Sequence, residues 1–185
     1  TAILAGDALQ ALAFETIASS KSITDAHKVE AVRMLAAACG HQGMVLGQQY
    51  DLDAEKNELL DIELIHSLKT AKLIQVALTM PYLGNEMNKK IQVLLDSLGG
   101  KIGLAFQIMD DVLEVSSDTV TLGKSNLSDI TNKKMTYVSV YGLEASIQKA
   151  EALSNFCIEQ IQENFEVEKT RELIELMHLM VSRSN

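Results

Sequence analysis

The segment Lys101-Ile-Gly-Leu-Ala-Phe-Gln-Ile-Met-Asp-Asp-Val-Leu-Glu-Val115 limits the folds open to this chain more than any other stretch. It reads as an otherwise apolar helix that carries three carboxylates, Asp110, Asp111 and Glu114. Taking a carboxylate out of water costs several kcal/mol unless a cation compensates, so acids built into such a helix point to bound metal or cationic groups. Gly103, Gln107, Asp110, Asp111 and Glu114 recur at helical spacing and share one face. That face has to meet something polar. Ile102, Leu104, Ala105, Phe106, Ile108, Met109, Val112, Leu113 and Val115 are left to pack around it.

The rest of the chain agrees with a helical fold. A single proline, no tryptophan and 4% aromatic residues favour packed helices over strands and tight turns. With 185 residues, 47% of them hydrophobic, residues 1–185 suit one all-α domain with a sizeable core. No apolar run reaches the roughly 20 residues that span a bilayer, and no basic region opens a secretory signal. The expectation is a soluble, cytoplasmic protein without a membrane span. A formal charge of −9 and no extended basic stripe argue against nucleic acid as a partner. Cys39 and Cys157 lie far apart without a Cys-x-x-Cys spacing, which predicts free buried thiols.

Residues 2–18 form a nearly all-apolar helix, expected inside a bundle. Within it, Asp7 is either a functional acid or an N-cap. A second helix is predicted from Asp25 through Ala38 to Gln49, with Gly40, Gly43 and Gly47 permitting close approach along its later turns. A third runs from Asp61 to about Met80, closed by Pro81 and Gly84. The fourth starts near Asn85 and reaches Leu98, with Gly99 and Gly100 kinking it before the acidic helix. Residues 116–135, rich in Ser, Thr, Asn and Lys, read as a long functional loop. Two more helices, 136–163 and 166–182, close the chain, the last with the stripe Leu173, Leu176, Met177 and Met180.

Several polar groups recur on these helices. Asp110 and Glu114 lie about one turn apart, near enough to share a hard cation through oxygen ligands, with Mg²⁺ the natural choice. A salt bridge to a neighbouring lysine is the plain alternative. His66, Lys69 and Thr70 share a face, where the lysine can bind phosphate or simply be solvated. Gln48 and Asp51 share another. Lys124, Asp129, Lys133 and Lys134 gather in the loop, suited to clamping a diphosphate or to a solvated surface. A competing metal scheme comes from Glu63-x-x-His66 and Glu175-x-x-His178, the spacing of di-iron helical bundles, with Glu15 and Glu30 as nominal further ligands. It leaves the acidic helix and the loop lysines unexplained.

Taken in order, these motifs resemble the trans-prenyl diphosphate synthases. Gly103-Leu-Ala-Phe-Gln-Ile-Met-Asp-Asp-Val-Leu-Glu114 is similar to that family's second aspartate-rich motif, Phe-Gln-x-x-Asp-Asp-x-x-Asp. Ile3-Leu-Ala-Gly-Asp-Ala-Leu-Gln10 resembles the helix following its first aspartate-rich region. Gly47-Gln48 with Asp51 resembles its Gly-Gln-x-x-Asp, and His66-Ser-Leu-Lys-Thr70 its Lys-Thr motif. Leu122-Gly-Lys124, Asp129 and Lys134-Met-Thr-Tyr137 match downstream landmarks. The nearest look is the bacterial farnesyl diphosphate synthase, or geranyltranstransferase, type.

The resemblance implies an all-α isoprenoid synthase bundle that joins an allylic diphosphate, dimethylallyl or geranyl, head to tail to isopentenyl diphosphate. It implies Mg²⁺ held by Asp110, Asp111 and Glu114, with Asp110 the first choice for direct ligation. Lys69, Lys124 and Lys134 would hold the allylic diphosphate, and Thr70, Phe106 and Gln107 would border the allylic group. It also implies a homodimer, to which the apolar first helix can contribute, and a short-chain product, farnesyl diphosphate.

The departures are specific. The first aspartate-rich motif, the Arg-Arg-Gly after it and the earlier Gly-Gly-Lys-x-x-Arg have no counterpart in these residues. The expectation is therefore a partial domain, inactive by itself, belonging to an active parent. Glu114 replaces the customary aspartate, Leu127 and Lys133 replace loop glycines, and Val138 stands where proline is common. A catalytically silent helical subunit or regulator of a synthase is the alternative function. A terpene cyclase would carry an Asn-Asp/Ser-x-x-x-Glu motif, which the acidic helix does not.

Overall fold

The acidic segment lies at the centre of a single long helix, Lys89–Thr121, 33 residues without interruption. The computed structural model describes residues 1–54, 61–83, 89–121 and 135–182, of which 117–121 and 182 are described by backbone alone. Among the described residues the chain is helical and contains no strand. In order these elements are α1 (Ala2–Ser19), α2 (Asp25–Cys39), α3 (Met44–Ala54), α4 (Ile62–His66), α5 (Lys72–Thr79), α6 (Lys89–Thr121), α7 (Tyr137–Tyr141), α8 (Leu143–Asn164) and α9 (Val167–Ser182). A π-helical turn, Ser67–Ala71, joins α4 to α5, and a short 3-10 turn, Met80–Tyr82, follows α5.

The core forms on both sides of α6, which lies between α5 and α8. One cluster joins Ala105, Ile108, Met109 and Val112 to Ile62, Tyr137 and Ala150. A second joins Leu98 and Ile102 to Cys157, Ile158, Ile161, Met177 and Met180. Each fully buried side chain such as Ile108 or Ile161 contributes about 1.5–3 kcal/mol of transfer free energy. Both cysteines are free and buried, as their setting in helical patterns predicts.

Several boundaries differ from the sequence expectation. α6 runs through Gly99 and Gly100 without a break, and Gly99 is packed against Gln75 of α5, where a Cβ would lie 2.7 Å from the Gln75 Cα. The predicted second helix divides into α2 and α3 around a turn at Gly40–Gly43. The helix predicted for 136–163 divides at Gly142. Residues 116–121, expected in a loop, continue α6. On α9, Met177 and Met180 are buried but Leu176 is 50% exposed, so the apolar stripe is narrower than its sequence suggests. The predicted start of the fourth helix near Asn85 and the Gly84 stop lie outside the described residues.

The first helix departs most. α1 contacts α2 and buries only Ile17, while Ile3, Leu4, Leu9 and Leu12 are 81%, 71%, 65% and 53% exposed. Among the described residues it is the one helix long and apolar enough, at 18 residues and a mean hydropathy of 1.2, to cross a membrane by length and composition. This qualifies the expectation that no run approaches that length. Asp7 lies inside the helix and caps nothing; the N-cap is Thr1.

Candidate active site

The site is built where the π-helical turn meets α6. The backbone N–H of Lys72 bonds to the carbonyl of Ser67, five residues back, and this widened turn carries Lys69 and Thr70. Such turns occur mostly inside α-helices and frequently at functional sites. Two glycines let other helices approach it. A Cβ at Gly47 of α3 would run into the backbone of Leu68 and Lys69, and one at Gly103 of α6 would run into Ala71. The turn is therefore clamped between α3 and α6 at backbone contact, which fixes where its side chains point.

His66, Lys69 and Thr70, expected on one face, reach three different partners. Lys69 Nζ pairs with Asp51 Oδ2 of α3 at 2.6 Å, both side chains largely buried. Thr70 donates its hydroxyl to Gln107 Oε1 at 2.8 Å. His66, 3% exposed, places Nε2 3.1 Å from Asp111 Oδ2. Gln107 donates in turn to Asp111 Oδ1 at 3.4 Å, so Thr70, Gln107, Asp111 and His66 form one polar chain between the turn and α6.

Asp111 is the most enclosed of the three acids. It is 2% exposed and also accepts the backbone N–H of Tyr137 at 2.7 Å. Burial alone would raise its carboxyl, but hydrogen bonds from His66 and Tyr137, the His66 charge and Gln107 outweigh it and hold the carboxyl below its ordinary value. Asp110 is half-buried and Glu114 exposed, so the one acidic motif presents carboxylates at three depths. Phe106 is half-buried against the second core cluster.

Two features were not anticipated from the sequence. Tyr137 donates its hydroxyl to Glu63 Oε1 at 2.9 Å, and Lys149 Nζ lies 3.7 Å from the same oxygen. Burial and Glu63 push the Tyr137 phenol far above its usual range, so it stays protonated. The second feature is the π-helical turn itself, for which the residues Ser67–Ala71 carry no local signal. His66 was legible as a buried group only through its apolar neighbours Ile62 and Ile65. The two Glu-x-x-His pairs do not assemble: Glu63 and His66 serve Tyr137 and Asp111, while Glu175 pairs with Arg171 at 3.6 Å and His178 is exposed. Lys124, Asp129, Lys133 and Lys134 lie outside the described residues.

An all-helical bundle with lysine, threonine, glutamine and adjacent acids around one helix defines a class of proteins with the isoprenoid synthase fold. The polyprenyl synthetase family model matches residues 1–177, and the chain belongs to that family. α1 lies within this match. Farnesyl diphosphate synthase from Escherichia coli (strain K12) is 43% identical over 157 residues, covering 82% of this chain and 52% of that protein. An FPP/GFPP synthase structure from Zymomonas mobilis superposes with a TM-score of 0.76 at 34% identity, covering 97% of this chain and 60% of that one. A geranyltransferase from Helicobacter pylori, solved with magnesium and isoprenyl diphosphate, superposes with a TM-score of 0.69 at 28% identity, covering 97% and 58%. The chain thus spans about half the length of the curated relatives it matches.

Proposed function

We propose that this chain forms one wall of a prenyltransferase that joins an allylic diphosphate head to tail to isopentenyl diphosphate, with farnesyl diphosphate as the product. The observation that carries this is the Thr70–Gln107 hydrogen bond, which ties the turn that bears Lys69 to the helix that bears Asp110 and Glu114. Among the described residues no group of three or more His, Cys, Asp and Glu side chains is arranged to hold a metal alone. Mg²⁺ is commonly bound through one or two carboxylates plus substrate phosphates and water. Asp110 and Glu114 are the residues we assign to it. When bound, Mg²⁺ neutralises charge on a departing diphosphate.

The remaining chemistry belongs to the chain. Lys69 supplies a cation to the diphosphate, and its pairing with Asp51 fixes the ammonium position beforehand. We assign the same role to Lys124 and Lys134. The Thr70 proton is committed to Gln107, which leaves the Oγ1 lone pairs to face the positive charge that develops when the carbon–oxygen bond ionises. Apolar neighbours exclude the water that would otherwise trap that cation. The alternative of a silent helical subunit is not favoured, since the matched relatives are farnesyl diphosphate synthases.

We also propose a homodimer, supported by the four exposed apolar side chains Ile3, Leu4, Leu9 and Leu12 on α1. The decisive experiment for the function is a condensation assay on the full-length protein with Mg²⁺. Asp110→Ala and Lys69→Ala are each expected to lower kcat/KM by about a hundredfold or more. Unchanged turnover in both would sink the assignment.

A further inference from the structure

We propose that Asp111 is a positioning residue and not a metal ligand: it holds the acidic helix in register with the Lys69–Thr70 turn and with the start of α7. The inference rests on the assignment of metal to Asp110. Both carboxylate oxygens of Asp111 already have protein partners. Oδ2 accepts the Tyr137 N–H at 2.7 Å and meets His66 Nε2 at 3.1 Å, and Oδ1 accepts from Gln107 at 3.4 Å.

The second observation concerns His66. It is 3% exposed, and its Nδ1 has no hydrogen-bond partner, so its polar contact is with Asp111. If Asp111 turned toward a metal, His66 would be left buried with neither nitrogen bonded, and the Tyr137 N–H would lose its acceptor. Stranding buried polar groups in this way is costly. Asp111 instead contacts the three pieces that must agree for a diphosphate to be held. They are His66, which precedes the π-helical turn, Gln107, which receives the Thr70 hydroxyl, and Tyr137, the first residue of α7.

Thermal unfolding of the full-length protein, first without and then with Mg²⁺ and inorganic pyrophosphate, separates a ligand from a latch. Asp111→Asn should lower the metal-free midpoint by about 5 °C or more, because a buried pair is broken. It should retain the rise in midpoint that Mg²⁺ and pyrophosphate produce. Asp110→Asn should lose that rise. A His66→Ala/Asp111→Asn double variant should fall no further than the lower single variant. An unmoved metal-free midpoint in Asp111→Asn, or loss of its ligand-induced rise, overturns the proposal.

Should Asp110→Asn keep the rise, the metal assignment fails, and the double variant still decides the latch: additive losses refute it. A kinetic arm tests positioning beyond stability. His66→Ala is expected to raise KM for the allylic diphosphate about tenfold with kcat little changed, and His66→Gln, which keeps an N–H donor, to restore it. Equal KM values in all three proteins would refute the positioning role. This arm also decides the matter if Asp111→Asn does not fold.

Discussion

Thr70 donates its hydroxyl to Gln107 across 2.8 Å, joining residues 37 positions apart in sequence. The bond connects an irregular turn to the middle of a long regular helix. It depends on the clamp at Gly47 and Gly103, because only backbone-to-backbone approach brings the turn this close to α6. The site is therefore a product of helix packing distance as much as of side-chain chemistry.

Replacing Thr70 with valine keeps the shape and removes the hydroxyl. The folded protein should lose about 1 kcal/mol of stability, since Gln107 Oε1 forfeits a hydrogen bond. In the full-length protein, kcat should drop about tenfold or more, while Thr70→Ser stays close to the parent. Urea unfolding and a condensation assay check the two halves separately.

Alanine at Gly47 or Gly103 forces backbone apart, because the added methyl meets main-chain atoms that cannot rotate away. Each variant should lose about 1–3 kcal/mol. Their denaturation midpoints should fall well below that of Gly6→Ala, where an added Cβ has nothing within 4 Å. Equal midpoints in the three variants would contradict the clamp.

The Asp111 carboxyl is held below its ordinary value when folded, so its contribution to stability is fully present above the unfolded carboxylate pKa of about 4. It disappears as pH falls through the lower folded value. Asp111→Asn should accordingly flatten the loss of stability in acid below about pH 4. Parallel acid-unfolding curves for parent and variant would show that the carboxylate adds nothing.

Burial pushes the Cys157 thiol up to about 11, against a smaller opposing pull from Lys101. At neutral pH it stays protonated and unreactive. Native protein should label slowly with iodoacetamide at Cys157, and the rate should rise sharply in denaturant. Mass spectrometry of the labelled peptides distinguishes Cys157 from Cys39.

How much of this was legible beforehand depends on the range of the physics involved. The all-α class follows from local preferences: one proline, few aromatics, and apolar residues at helical spacing. The ordered motifs around Lys69, Gln107 and Asp110 marked the family, which the match over residues 1–177 bears out. The helix boundaries were less legible. Gly99 and Gly100 gave no local sign of the close approach that the structure shows, with Gly99 against the Gln75 backbone of α5 inside an unbroken helix. α1 looked like a core helix because composition does not reveal which elements cover a face, and its leucines are exposed.

The sequence by itself determined that three acids would sit in an apolar helix in need of partners, since the cost of burying charge is set by residue type and period. Which partner each acid receives was decided only by the tertiary structure. Asp111 meets His66 from 45 residues away and the Tyr137 backbone from 26, and no local pattern carries that information. Adjacent on the chain, Asp110 and Asp111 point about 100° apart around a helix, so one lies half-buried and the other is enclosed by α4 and α7.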